Sequence, residues 1–488
     1  MAVRWPLISF LFTSWAVLCH AKAYGSFENT AVVRTVELGG SLVHVKTTYA
    51  VKAVEDQSSV YTVAFGQEDH SKTSFLEARI SGKQTPLKIE QSFGSGSNGD
   101  PYLYSVELPK PLSKDETTKL EVEIVQTHAT YPWPAEVGQE DEQALKYETD
   151  LFVLSPYKTL EQRTKIRSPS PGILSYTTPE DVQDFTFEAP VTKSGATLTY
   201  GPFKNFPSSD SQHFVEKRQQ RVTVHYKYDD PVMEVTELHR SAEISHWGAN
   251  LNIQDEISLT NAGPKLKGQF SRLKHQQQTF YQKPSAHIIR GIVMHLPPGI
   301  RDTYFYDLIG NVSTSRLRTA PSIPKGSLAR QQSVLELRPR YPLMGGWNYS
   351  FTLGWDAPLR DSASWDSKAG RYIVAVPIMT VLPGTVVDEA TVKVILPEGA
   401  IDVEVFPPFP PKSMTRSTHT TYLDTTGRPA VTFEYSQLTD RHGGVIYLSY
   451  KVPFLAHLRK PFAVATAFFA LFTVALAARR VDARIHKK

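Results

Sequence analysis

Between residues 40 and 450 the chain alternates apolar and polar positions with a period of two. Val43, Val45, Thr47, Tyr49 and Val51 share one parity, while His44, Lys46, Thr48 and Lys52 take the other. The same alternation returns at Leu120-Val122-Ile124, Val222-Val224-Tyr226-Tyr228, Leu251-Ile253 with Ile257-Leu259, and Ile401-Val403-Val405. Half-buried antiparallel strands read this way, and closely spaced Pro and Gly favour sandwiches over βαβ units. Helix signals are sparse. The pattern predicts one helix over Glu140 to Tyr147 and another over Pro264 to His275, with Leu266, Phe270 and Leu273 on one face.

A faint repeat runs through the strands. Arg34-Thr-Val-Glu-Leu38 opens one strand pair, and Arg240-Ser-Ala-Glu-Ile244 opens a similar one roughly two hundred residues later. Pro111-Leu112 precedes the strand at Leu120, as Pro342-Leu343 precedes Trp347 to Leu353. Length also favours two β domains. The division is expected near Asp229-Asp230-Pro231, giving domains over 24–230 and 231–455. The expected class is therefore mainly β: two tandem sandwich-like domains; the ends of the chain add that they are luminal and followed by one transmembrane helix. Phe93 to Pro101 reads as a surface loop, and the Pro/Phe run Phe406 to Pro411 as a stiff segment packed on its domain.

The two ends differ from the body. Arg4, the apolar run Leu7 to Leu18 and Ala21-Lys22-Ala23 have the order of a signal peptide, with cleavage expected after Ala23. The single cysteine, Cys19, falls inside that segment, so the mature chain is expected to have no disulfide, thiolate metal site or cysteine nucleophile. Pro461 to Ala478 carries no charge. As a helix it is about 27 Å long, close to a thin bilayer's hydrocarbon thickness. A membrane helix over 459–479 follows, with a short basic tail over 480–488 containing Arg480, Arg484, Lys487 and Lys488. Arg459 and Lys460 flank the other side, so the signal peptide, not charge bias, sets the expected orientation: body in the lumen, tail in the cytosol. Ala463, Ala467 and Ala470 fall on one helical face, where small residues let another membrane helix approach closely.

Chemistry is hard to find. No phosphate-binding loop, zinc-protease helix, dinucleotide turn or nucleophile elbow occurs. His239 and His246 are too far apart along a strand to act as a ligand pair, and no metal or cofactor is expected. Glu140-Asp141-Glu142 suits a helix start. A net charge of +4 leaves no nucleic-acid footprint. Two glycosylation acceptors remain, Asn311-Val-Ser313 and Asn348-Tyr-Ser350.

Several longer phrases resemble the ribophorin I family: FSRLKHQ (Phe270 to Gln276), DTYFYDLIGNVSTSRLR (Asp302 to Arg318), LELRPRYPLMGGW (Leu335 to Trp347), VKVILPEGA (Val392 to Ala400) and YLDTTGRPAV (Tyr422 to Val431). The resemblance implies a non-catalytic subunit of the endoplasmic reticulum complex that transfers an oligosaccharide from dolichyl diphosphate to asparagine in nascent proteins. It implies that catalysis belongs to a many-pass partner with a WWDYG motif. Here only Trp355-Asp356 and Trp365-Asp366 come near that motif. The implied partners are that catalytic subunit, a small membrane subunit, nascent polypeptides and the lipid bilayer, and Asn311 is implied as glycosylated. Animal relatives continue into a long cytosolic domain that meets the ribosome; the short tail here is closer to the fungal form. A free-standing chaperone or lectin, or a luminal glycoside hydrolase, stands as the alternative.

Overall fold

A computed structural model describes residues 26–92, 100–281, 285–322, 331–421 and 424–480. The expected signal segment with Ala23, most of the loop at 93–101, and the tail beyond Arg480 lie outside these described residues.

The N-terminal half opens with β1 (Phe27–Glu37), β2 (Leu42–Ala53), β3 (Ser58–Phe65), helix α1 (Gln67–Lys72) and β4 (Thr73–Ile80). It continues through β5 (Ile89–Gln91), β6 (Tyr102–Leu112), β7 (Thr117–Thr127), β8 (Thr130–Pro132) and β9 (Glu136–Val137). It closes with β10 (Ala144–Asp150), β11 (Thr159–Arg167), β12 (Ile173–Tyr176), β13 (Val191–Ser194), β14 (Thr197–Phe206), α2 (Gln212–Arg218) and β15 (Arg221–Lys227).

The C-terminal half begins with β16 (Met233–Ser245), β17 (Asn250–Asn261), β18 (Lys265–Leu266), α3 (Arg272–Phe280), β19 (Ile292–Leu296) and β20 (Arg301–Asp307). Next come β21 (Gly310–Asn311), β22 (Ser315–Arg318), β23 (Ser333–Leu337), β24 (Asn348–Pro358), α4 (Leu359–Ser362) and β25 (Ala363–Asp366). The last elements are β26 (Arg371–Pro377), β27 (Val386–Ile395), β28 (Ile401–Phe406), β29 (Ser413–His419), β30 (Arg428–Leu438), β31 (Val445–Lys451) and α5 (Phe454–Arg480).

The two halves repeat each other strand for strand. One large sheet runs β13-β14-β11-β1-β2-β7-β4, and the other runs β29-β30-β27-β16-β17-β24-β20, extended by β21. In each, one pair is parallel, β1 with β11 and β16 with β27. The four-stranded sheets β12-β15-β10-β8 and β28-β31-β26-β25 correspond, as do the three-stranded sheets β3-β6-β5 and β19-β23-β22. Among the described strands β9, β18 and β21 stand outside the correspondence. Both phrases of the faint sequence repeat fall on matching strands: Arg34 and Arg240 lie on β1 and β16, and the Pro-Leu pairs precede β7 and β24.

The matching extends to side chains. Arg34 donates to the carbonyl of Asp150, the last residue of β10. Arg240 donates to the carbonyl of Pro377, the last residue of β26, at 2.9 Å. In the second half that arginine also meets Asp255 on β17, Nε to Oδ1 at 2.6 Å, with neither side chain exposed. Asp255 shares the inward parity of Leu251, Ile253, Ile257 and Leu259, so the acid belongs to the core face. In the first half Thr47 stands opposite Arg34, and Asp69 lies 3.9 Å away.

Each half buries its own core. One cluster gathers residues between Phe27 and Val232, and the other residues between Val235 and Tyr450. In both, the large sheet supplies one wall and the smaller sheets the other, as in a sandwich. Between the clusters the chain passes from the end of β15 at Lys227 to the start of β16 at Met233. The halves touch along a parallel pairing of β9 with β18, Glu136 opposite Lys265 and Val137 opposite Leu266. A small apolar contact of Leu42, Val125 and Val386, with Phe75 against it, lies between them, and Arg441 reaches Glu123 across the same boundary.

Two predicted elements are corrected. Glu140 to Tyr147 is not helical: residues around Glu140 form a turn in which Asp141 accepts from the Gly138 amide at 2.8 Å, and the strand β10 follows. Leu145, Tyr147 and Thr149 point inward and pairing with β15 fixes them, so tertiary packing overrides helix propensity. The acids Glu140-Asp141-Glu142 therefore serve a turn and not a helix start. The second helix begins later than predicted: Leu266 belongs to β18, and Ser271 caps α3 by accepting from the Lys274 amide. Elsewhere, Phe409 of the Pro/Phe run packs on Tyr435 and His442 with ring centroids 5.1 and 4.9 Å apart, while Phe406 stays exposed. Ile401, Val403 and Val405 alternate as expected but lie on an edge strand and are at most half-buried.

Candidate functional site

Two of the family-like phrases meet where the β body joins α5. Chain reversal after β27 puts Glu398 in the VKVILPEGA phrase, where its Oε1 accepts from the backbone and hydroxyls of Thr425 and Thr426 at 2.7 to 3.3 Å. Gly399 follows with φ +80, and a Cβ there would stand 2.6 Å from the Cβ of Ala456 on α5. Only glycine allows both the backbone turn and the close approach.

The DTTGRP portion supplies the rest of this socket. Asp424, with no side-chain exposure, accepts from Thr421 at 2.7 Å and pairs with Arg428 and with Lys460 of α5, each at 3.1 Å. Arg428 also reaches Glu243 on β16, and Arg459 of α5 donates to Thr426 at 2.7 Å. Burial acts to raise the Asp424 carboxyl, but bonds from Thr421, Lys460 and Arg428 outweigh it and hold the group at about 2. The first turns of α5 are thus bolted to the second half by Ala456, Arg459 and Lys460.

Beyond Pro461 every described residue of the helix except the partly covered Ala463 is exposed. None of its apolar stretch is buried, and α5 is long and apolar enough to cross a membrane. Thr466 returns its hydroxyl to the Phe462 carbonyl at 2.7 Å, and Thr473 does the same to Phe469, leaving neither hydroxyl to face lipid unsatisfied. Ala463 is half-exposed and Ala467 and Ala470 are exposed. At 3.6 residues per turn they continue, within roughly 40°, the face on which Ala456 and Arg459 meet the body.

Asn311 lies on β21, opposite Tyr306, just after the turn of a braced hairpin. Asp307 accepts from Arg340 at 2.5 Å and from the amides of Ile309 and Gly310, while Arg340 also holds the carbonyls of Gly310 and Asn311. The side chains of Asn311 and Ser313 are exposed and Val312 between them is buried. The family-like phrases around 302–318 and 335–347 supply both partners of this brace. The second phrase also contains Gly345, where a Cβ would lie 1.9 Å from the Pro264 carbonyl oxygen. Asn348 opens β24 with its side chain exposed, its Oδ1 accepting from Thr260 at 3.1 Å.

Residues singled out as catalytic look-alikes are spread apart. Trp355 is buried, its ring 5.8 Å from the Arg240 guanidinium carbon, whereas Trp365 is exposed and packs on Tyr372 at 4.6 Å. His239 is exposed beside Glu237, while His246 is bonded to the Tyr450 hydroxyl at 2.9 Å.

Sequence reading missed one cluster, because its members lie far apart in the chain. Among the described residues His128, Glu234 and Asp388 come together. The His128 ring places Nδ1 3.3 Å from Glu234 and Nε2 2.7 Å from Asp388. Both nitrogens are engaged by acids, the arrangement of an imidazolium clamp and not of a metal ligand offering a lone pair. Bonds to Asp388 and Glu234 lift this imidazole to about 10. The clamp joins the two halves.

The family model described as Ribophorin I matches residues 27–479. A dolichyl-diphosphooligosaccharide–protein glycosyltransferase subunit 1B of Arabidopsis thaliana is 30% identical over 483 residues, covering 97% of each chain. The subunit 1B of Oryza sativa subsp. japonica is 32% identical over 93% of this chain and 91% of its own. Subunit 1 of Caenorhabditis elegans is 30% identical over 96% of this chain and 74% of its own. Among solved structures, leukotriene A4 hydrolase of Saccharomyces cerevisiae aligns with 45% of this chain and 32% of its own, at 10% identity and a TM-score of 0.24, too low to bear on function. The match to the family along nearly the whole chain, over the phrases that build the helix socket and the Asn311 hairpin, makes this protein a member of the ribophorin I family.

Proposed function

We propose that this chain is subunit 1 of an oligosaccharyltransferase complex, a non-catalytic scaffold that supports transfer of an oligosaccharide from dolichyl diphosphate to asparagine in nascent proteins. The observation that carries this reading is similarity along nearly the whole chain to proteins named as that subunit, in a chain whose β body joins one apolar helix through Ala456, Arg459 and Lys460. A body held at a set height above the bilayer suits positioning of acceptor chains beside another subunit's active centre, raising their local concentration.

In this reading the chain lies in the endoplasmic reticulum membrane as a single-pass protein, its signal removed after Ala23, its body in the lumen and its basic tail in the cytosol. The body divides at Asp229-Asp230-Pro231 into two domains. Asn311, exposed on the braced hairpin, carries a glycan, and Asn348 is the second acceptor. The face of Ala463, Ala467 and Ala470 receives a helix of the catalytic or small membrane subunit.

Purification of the tagged chain in mild detergent tests the proposal. Recovery of a many-pass glycosyltransferase subunit is expected, with no transfer by the ectodomain alone. A chain that purifies by itself, or an ectodomain that transfers or cleaves sugars unaided, would overturn it. Leucine at Ala463 and Ala467 is expected to lower recovery of the membrane partners while leaving the ectodomain folded.

A further inference from the structure

Beside the helix socket lies an open cavity of about 560 Å³, lined by His246, Trp247, Leu359, Arg360, Tyr372 and His457 among others. That volume falls within the range of small-ligand sites. Its walls come from β17's approach, α4, β26 and the first turn of α5. His246 and His457 face each other at 5.7 Å with nearly parallel rings, and Tyr372 packs on His246 at 4.5 Å. Trp365 packs on Tyr372 at 4.6 Å, and Trp247 in the lining is 64% exposed.

Three features identify the occupant. The first is depth. His457 precedes Pro461, where the apolar run starts, by four residues, which places the cavity about 6 Å above the hydrocarbon edge. A headgroup layer is roughly 5–8 Å thick on each side of a bilayer. The second is the rim: half-exposed Trp and Tyr beside a span are the residues that settle at that level, apolar body inward and polar edge in water. The third is charge. The lining offers the Arg360 guanidinium and no carboxylate. Asp361 beside Arg360, at 3.7 Å, is also held by Ser322 at 2.7 Å. Guanidinium groups favour phosphate oxygens.

We propose that this cavity receives the phosphate-bearing headgroup of a bilayer phospholipid, with Arg360 on the phosphate and Trp247 and Tyr372 against the glycerol and the first acyl carbons. Burial, and then the neighbouring His457, bring His246 down to about 4, so it is neutral at physiological pH and Arg360 supplies the lasting charge. The inference rests on α5 crossing a membrane. A lipid so held would seat the second half on the leaflet from which α5 rises.

The full chain in nanodiscs of phosphatidylcholine and phosphatidylinositol, carrying a phospholipid with a photoreactive group next to its phosphate, tests the site. Labelling along 461–478 reports insertion separately from occupancy. With insertion intact, the expected result is label on the segments around Trp247 and His457, cut at least fivefold by Arg360→Gln and abolished by Ala363→Phe, which fills the cavity, while the span stays labelled. Equal label in wild type and both variants would overturn the proposal, as would a labelled span with an unlabelled cavity. Protection by soluble glycerol phosphate at concentrations below the lipid's would reassign the site to a free phosphate ester. Loss of the label on assembly with partner subunits would reassign it to protein contact.

Discussion

Lys460 places its ammonium 3.1 Å from the enclosed carboxylate of Asp424, one residue before the proline where the apolar run begins. The pair ties a membrane helix to a β-sheet loop at the last position where an ion pair is still clear of the hydrocarbon. Arg428 shares the same carboxylate, so Asp424 is the hub on which the junction depends.

Asp424→Ala leaves Lys460 and Arg428 facing a void. Removing one partner of an enclosed pair costs about 3 kcal/mol or more. The expected readouts are a lowered unfolding midpoint in detergent and new protease cleavage between β31 and Pro461. An unchanged midpoint would show that Ala456 and Arg459 hold the helix alone. The folded carboxyl sits below its free value, so its contribution is complete above about pH 4 and fades only toward pH 2.

Gly399→Ala puts a methyl 2.6 Å from Ala456 and an L side chain at φ +80. A loss of about 1–2 kcal/mol is expected from the backbone term alone. Ala456→Gly in the same chain should recover the part due to the clash and not the part due to φ. A double variant no better than Gly399→Ala would mean that the contact is relieved by movement of α5.

His128 reports on the contact between the halves. Its folded pKa, about 10, stands above the free imidazole value. Its clamp therefore contributes fully below about pH 6.5 and is lost as pH rises through about 10. Melting curves between pH 6 and 10 should show this decline in wild type and a flatter profile in His128→Gln. Parallel profiles would assign the coupling to the β9–β18 pairing and Arg441 instead.

Arg240→Met leaves Asp255 as an unpaired charge inside the core and should cost about 3–5 kcal/mol. Arg240→Met with Asp255→Leu removes both charges and should recover most of that loss, a difference that urea unfolding resolves. Equal losses in the single and double variants would point to the Pro377 carbonyl and Thr380 hydroxyl, both bonded to Arg240, as the costly orphans.

Much of this fold is legible in the alternation. The inward positions of β2, β7, β15 and β17 are those the period of two selects, and the faint repeat at Arg34 and Arg240 marks matching strands. Parity held one further message: Asp255 falls among inward apolar residues, which calls for a cation, and Arg240 is that cation. The helix errors have a different origin. Ala144 to Tyr147 has good helix formers, but Tyr147 and Leu145 are claimed by β15, a partner far away in sequence. The helix socket and the His128 clamp were invisible for the same reason, since Asp424, Lys460, Glu398 and Thr426, like His128, Glu234 and Asp388, meet only through the tertiary fold. Resemblance flagged two of the socket's segments without saying what they do.

The strand correspondence places β15 opposite β31, yet the chain leaves them differently: after Lys227 it starts a second copy, after Lys451 it starts α5. The membrane helix occupies the slot where a third copy would begin. The second copy, to which Ala456, Arg459 and Lys460 fasten α5, thus acts as a pedestal for the first. Loosening the seam between copies would free the first copy while the pedestal stays fastened to its helix.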